Sequence, residues 1–203
     1  MKRFLSISLS LLAVLILLCG CGAIKTNGGG NILSGVLNGG IKTYTFYNLP
    51  ENLEELKALP EANLKDPYGV AALVMAALCR YETNPADCFE MLNWLKGPEP
   101  LSNYEKQFIR ERLDGKAYKT RSFFQGATPA NNYTPSNPYK FTPVSSPYTF
   151  QNAGWASIRV RSGGADSERF IKLRQKGSTG EWFLNEIQCL SDIRTPANEN
   201  PWN

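Results

Sequence analysis

Two stretches of this chain put amides, an acid, a guanidinium and an aromatic ring into short loops. Gly126 to Pro135 carries Asn131, Asn132 and Tyr133, and Ser162 to Arg169 carries Asp166, Ser167 and Arg169. If the loops meet, such a set can grip a sugar or a peptide by bidentate hydrogen bonds beside a ring. The same residues also have a plain structural use, because Asn builds turns and Gly163-Gly164 permits positive φ. Asp166 and Glu168 are two apart and share a face on a regular strand. Glycoside hydrolysis needs a carboxyl pair about 5 to 9.5 Å apart across a cleft, and nothing in the sequence puts this pair in one. Nor does Asp166 fit the alternating acids of a calcium loop. Arg159, Arg161, Lys172 and Arg174 make a basic face on neighbouring strands. Like charges there repel, so the face needs an anionic polymer, lipid headgroups, or its own Glu181 and Glu186.

What is missing narrows the chemistry further. The 203 residues contain no histidine, which excludes Ser-His-Asp and Cys-His nucleophile activation and removes the usual pH switch. There is no C-x-x-C pair, which argues against a zinc site, and no pattern calls for a cofactor. Cys79 and Cys88 flank a predicted helix-helix turn. They are placed either to form a disulfide in an exported protein or to pack as small hydrophobes.

The candidate loops hang on an α+β framework. Ile41 to Asn48 reads as a first strand, rich in Thr, Tyr and Phe. Leu53, Leu56 and Leu59 give a short helix ending before Pro60. Asp66-Pro67 opens a stronger helix, with Asp at the N-cap and Pro in the first turn. Gly69 to Cys79 is apolar all round, so that helix should be buried. Asn84-Pro85 repeats the signal for a second helix that stops at Gly97-Pro98. Ser102 and Glu105 make a capping box for a third, ended by Gly115. The short loop after Cys79 predicts a helical hairpin. Residues 118 to 150 hold five prolines among many aromatics, which predicts an ordered, extended segment lying over the domain. From Trp155 the period becomes two. Trp155 to Ser162, Glu168 to Lys176 and Trp182 to Leu190 read as an antiparallel meander with one face on the helices. The N-terminal helical hairpin and third helix thus pack on a C-terminal antiparallel sheet.

The N-terminus carries a different message. Lys2 and Arg3 precede an apolar run, Phe4 to Leu18, interrupted only by serines, and then come Leu18-Cys19-Gly20-Cys21. The run of about 15 residues is shorter than the roughly 20 that a membrane span needs, and it suits a secretory leader. The segment resembles a bacterial lipoprotein signal, whose box ends in Leu-x-Gly-Cys. That resemblance implies cleavage before Cys21 and a diacylglycerol on its thiol, with palmitate-type acyl chains holding the protein to a membrane. Two acyl chains suffice for stable anchoring. Residues 1–20 are then a signal peptide and 21–40 a Gly/Asn-rich tether. Ile32, Leu33, Val36 and Leu37 interrupt the tether and suggest a turn of helix. Residues 41–203 form a single globular α+β domain. A Gly-rich coil of about 19 residues spans roughly 25 Å. Without its leader the chain has a net charge of only +2, which gives no case for nucleic acid.

Five further segments carry a second resemblance. They are DPYGVAALVMAALCRYE from Asp66, GPEPLSNYEKQFIRER from Gly97, GATPANNYTP from Gly126, SGGADSERFIKLR from Ser162 and EWFLNEIQCLSDIRTP from Glu181. Together they resemble a family of bacterial lipoproteins of unknown function, seen mainly in Clostridia-like Gram-positives. The resemblance implies one domain and a surface location, and it transfers no activity, cofactor or catalytic residue. The expectation is a lipid-anchored protein at the cell membrane with its domain on the extracytoplasmic side. That domain is expected to be a non-enzymatic module binding a glycan or protein ligand through Asn131, Asn132, Tyr133, Asp166 and Arg169. A small carboxylate-dependent hydrolase, with Asp166 the residue to test, is one alternative. A structural interaction domain for another envelope protein is the other. Cys21→Ala is expected to abolish incorporation of a fatty-acid probe and to leave the precursor uncleaved. Label retained in that variant would refute Cys21 as the acceptor.

Overall fold

The computed structural model describes the backbone of residues 32–34 and the chain from 42 to 202. The leader, Cys21 and most of the tether lie outside the described residues. Two short strands, β1 (Ile32–Ser34) and β2 (Tyr44–Phe46), come first. Four helices follow: α1 (Leu53–Lys57), α2 (Pro67–Cys79), α3 (Pro85–Lys96) and α4 (Asn103–Leu113). A single turn, α5 (Tyr118–Arg121), leads into β3 (Tyr139–Phe141) and β4 (Pro143–Val144). The chain then forms β5 (Trp155–Val160), β6 (Arg169–Lys176) and β7 (Glu181–Gln188). Strands β4, β5, β6 and β7 pair antiparallel in that order, and β1, β2 and β3 make a second small sheet. The fold is α+β, with the helical hairpin of α2 and α3 against the C-terminal sheet.

The helix boundaries follow from their caps. The Asp66 carboxylate accepts the Tyr68 N–H at 3.0 Å, and Pro67 occupies the first turn of α2, satisfying one orphan donor and omitting another. Asn84 does the same for α3, accepting from Ala86 and Asp87. Ser102 and Glu105 form a reciprocal box at α4. Gly97 ends α3 at φ +64°, and a Cβ there would lie 2.3 Å from the Phe183 ring. Val70 through Leu78 are completely buried. Around them pack Ala156, Ile158, Val160, Ile171, Leu173 and Leu184 from the inner face of the sheet.

Two expectations need correction, and one open alternative is decided. Residues 118 to 150 do not lie over the domain but build it. Phe123, Phe124, Tyr133 and Phe141 are buried, β3 pairs with β2, and β4 extends the main sheet beside β5. The prolines are accommodated because Pro143 starts an edge strand, where a missing donor costs little. Ile32 to Ser34 pair with Tyr44 to Phe46 as strand rather than turning as a helix. Cys79 and Cys88 are free thiols, Cys88 fully buried, so the small-hydrophobe reading holds. Burial pushes the Cys79 thiol up to about 12.

A polar cluster fastens the first strand to the start of α2. The Tyr44 hydroxyl donates to Asp66 Oδ2 at 2.7 Å, and Lys42 forms an ion pair with the same oxygen. Burial would raise the Asp66 carboxyl, but the hydrogen bonds from Lys42, Tyr44 and Tyr68 hold it below the ordinary range. Glu61 faces the opposite balance. It is 6 % exposed, its Oε2 has no partner, and burial raises its carboxyl. A carboxyl raised in the fold favours the native state while protonated, and that advantage is lost as pH climbs through its folded value. Glu61→Gln is therefore expected to gain stability relative to wild type as pH rises from about 4, near the free Glu value, to 8. Melting temperatures across that range check it, and a pH-independent difference would be the wrong outcome.

Candidate functional site

The two loops singled out from sequence do converge. A Cβ on Gly163 would lie 1.9 Å from the Ala127 carbonyl, and one on Gly164 would lie 1.8 Å from the Tyr133 hydroxyl. Only glycine lets the backbones approach this closely. The Gly163 N–H donates to Ser122 O at 2.8 Å, and the Ser162 hydroxyl to Ser122 Oγ at 2.8 Å.

Their side chains, however, are spent on the protein itself. Tyr133 is fully buried, stacks on Tyr118 with centroids 5.3 Å apart, and donates to Arg194 O at 2.7 Å. Burial pushes its phenol up to about 12. Asn131 accepts from the Thr128 N–H and donates to the Gly126 and Thr134 carbonyls. Asn132 is left-handed at φ 52° and accepts the Asn198 N–H at 3.0 Å. Arg169 donates to the Ser191 and Asp192 carbonyls at 3.1 and 2.9 Å and to Ser167. Asp166 forms an exposed ion pair with Arg194. All but Asn131 of the five candidates thus hold residues 191–198, and Asn131 braces its own loop. The set is a clamp on the C-terminal segment.

The other two candidates resolve similarly. Glu168 is held by Arg159 at 3.2 Å and by Arg161 at 3.1 Å, while Asp166 is committed to Arg194. The two carboxylates therefore serve different arginines. Lys172 pairs with Glu186 at 3.1 Å and Arg174 with Glu99 at 3.5 Å. The basic face is balanced by Glu168, Glu186 and Glu99, with Glu99 in the place expected of Glu181. Among the described residues, no group of three or more His, Cys, Asp or Glu is placed to hold a metal.

A different site lies along β7, which ends the four-stranded sheet. A groove separates this strand from α4. Its first lobe, about 150 Å³, has Tyr104, Phe108 and Ile109 on one wall and Leu184 and Ile187 on the other. Lys96 lies at its floor, 8 % exposed, donating to Glu105 Oε1 at 2.7 Å and to Asn185 O at 3.1 Å. Burial would raise the Glu105 carboxyl, but the bond from Lys96 and those from the Ser102 N–H and hydroxyl hold it low. A second lobe of about 290 Å³ continues past Lys96 and Asn185 to Phe183, Arg174 and Lys176. Asn185 is the extra residue of a bulge, falling between the pairs Lys172↔Glu186 and Leu173↔Leu184. Bulges re-aim side chains at strand edges, and this one puts Asn185 on both lobes. With Lys96 and Glu105 satisfying each other, the groove offers shape, apolar surface and fixed charges for binding. A larger cavity of about 680 Å³ borders Gly126 to Thr128 and Ser162. Among the described residues, the only charged side chain on its wall is Arg161, already paired with Glu168.

Sequence reading missed the groove. Ser102 and Glu105 were legible as a cap, but nothing local shows that Glu105 also holds Lys96. One signal was present: the apolar alternation at Trp182 and Leu184 changes phase to Ile187, which marks the bulge.

Tyr133→Phe is expected to lose about 1 kcal/mol, the ordinary worth of one hydrogen bond, and to expose residues 191–198 to limited proteolysis. Asp166→Ala, at an exposed pair, is expected to stay within about 0.5 kcal/mol of wild type. Equal losses from both would contradict the clamp.

No curated protein and no solved structure matches the chain. A family model does, over residues 48–197, from just after β2 into the clamped C-terminal segment. That span contains the helices, the main sheet, the clamp and the groove. The chain therefore belongs to the family defined by this domain of unknown function (DUF6935).

Proposed function

We propose that this protein is a lipid-anchored lipoprotein whose domain is a non-enzymatic binding module on the extracytoplasmic side. Its ligand is an extended segment of another envelope or extracellular protein, lying in the groove along β7. The observation that carries the ligand is the two-lobed groove beside this edge strand. The Trp182 N–H and the Asn185 carbonyl of the edge are already bonded to Leu64 O and Lys96, so the groove's side chains rather than a full added strand hold the ligand. Here the edge is flanked by an apolar lobe between Phe108 and Ile187 and a charged lobe in which Arg174 is paired with Glu99 and Lys176 has no ion pair among the described residues. An aliphatic side chain fits the first, and an acidic one matches Lys176 in the second. Lipid anchoring rests on Leu18-Cys19-Gly20-Cys21 behind a short apolar leader. No described helix is long and apolar enough to cross a membrane.

Peptide display and a glycan array, both probed with the full lipidated chain in detergent micelles, test the ligand class. Peptides carrying an aliphatic residue near an acid are expected to bind. Tyr104→Ala and Ile187→Glu should each weaken that binding about tenfold, since each removes a buried apolar contact worth roughly 1 to 2 kcal/mol. Their melting temperatures should stay within a few degrees of wild type. Capture of glycans alone, or of peptides with full affinity in both variants, would overturn the assignment.

A further inference from the structure

One end of the domain gathers aromatic side chains that packing leaves uncovered. At this end β5 begins, β6 finishes and β7 begins, as the pairs Trp155↔Arg174 and Lys176↔Glu181 show. Tyr148 is 63 % exposed, Phe150 50 % and Trp155 39 %. They are placed by structure rather than left loose. Phe150 packs against Tyr68 and Trp182 at 6.1 and 6.0 Å, which fixes it beside the start of α2. The Arg174 guanidinium covers the Trp155 ring at 5.3 Å. The loop between them is tied down by Ser157 N–H to Thr149 O at 2.9 Å and Gln175 N–H to Gly154 O at 2.8 Å. Exposed apolar surface held this firmly marks an interaction site.

The charges around it favour an anionic partner. Lys42 is matched by Asp66 and Arg174 by Glu99. Lys65 and Lys176 make no ion pair among the described residues, and Lys65 reaches across to the Thr179 carbonyl on the β6–β7 turn. Of the two acids on that hairpin, Glu186 is held by Lys172 farther along β7, which leaves Glu181 as the acid beside the turn. Tyrosine and tryptophan prefer the headgroup layer of a bilayer, with the ring body in an apolar medium and the polar edge in water. Lysines beside them are drawn to anionic headgroups.

We propose that this end of the domain, presenting Tyr148, Phe150 and Trp155 with Lys65 and Lys176, rests on the anionic phospholipid surface. The inference depends on the lipid-anchor reading for its proximity. Ten residues lie between Cys21 and Ile32, and the eleven steps from one to the other reach at most about 38 Å when extended. That is close to the roughly 40 Å breadth of a domain this size, so the domain works at contact range of the bilayer. The second lobe of the groove, which shares Arg174 and Lys176, then opens next to the membrane.

The test uses the full lipidated chain in phosphatidylcholine vesicles with about a third phosphatidylglycerol, part of it brominated near the headgroup. Tryptophan quenching is expected, and Trp155→Phe should remove most of it while Trp202→Phe removes little. Tyr148→Ser with Phe150→Ser should lower quenching at least twofold, and Lys65→Gln with Lys176→Gln should lower it in anionic vesicles alone. Quenching that survives Trp155→Phe, or is unchanged in both double variants, would overturn the seating. If these aromatics instead serve a protein partner, Trp155 stays unquenched, which also overturns it. The anchor is scored separately by incorporated fatty acid, and quenching is read on the same vesicles whether or not label is found.

Discussion

The complete burial of α2 governs this architecture. A helix that is apolar on every side has no face to offer water, so every direction around Val70 to Leu78 must be filled. The main sheet covers one side, α3 another and α5 a third. The aromatic segment between α4 and β5 is drawn inward for the same reason. Helix α4 meets the hairpin through long side chains, Glu105 to Lys96 and Arg110 over the Phe89 ring. The gap it leaves beside β7 is the groove. The site is in this sense a remainder, the place where enclosing one helix did not require close packing.

Elements whose signals are local could be read from sequence. Asp66-Pro67, Asn84-Pro85 and the Ser102–Glu105 box each mark a helix start through backbone donors within three residues. The period-two pattern marks β5, β6 and β7 because one face is buried. The segment from Tyr118 to Phe150 could not be placed this way. Its aromatics find partners distant in sequence, as Phe124 does in Phe46, and its strands are only two and three residues long. Composition said that it was ordered. It did not say that Phe141 would face the core while Pro143 opened a second sheet.

The clamp shows how chemically rich loops can mislead. Asn, Asp, Arg and Tyr beside glycines look like a binding site, and the loops do meet. The glycines serve close backbone contact, and the polar groups satisfy carbonyls and N–H groups that the chain from Ser191 to Asn198 would otherwise leave unpaired. Buried polar groups must find partners. A segment without regular secondary structure finds them in side chains. The groove gathers its polar residues from four separate elements, and its lysine is buried against one carboxylate and one carbonyl.

Glu105 belongs to two structures at once. One oxygen closes the capping box on Ser102 and the other receives Lys96. Variation at this position is therefore not free. Asp would shorten the reach to Lys96, and Gln would keep the cap while leaving the ammonium without a counter-charge. Sequences that drift in the groove must change positions 96, 102 and 105 as a set. Among relatives of this domain, co-variation of position 96 with 105 would separate a groove under selection for its ligand from one preserved only by helix capping.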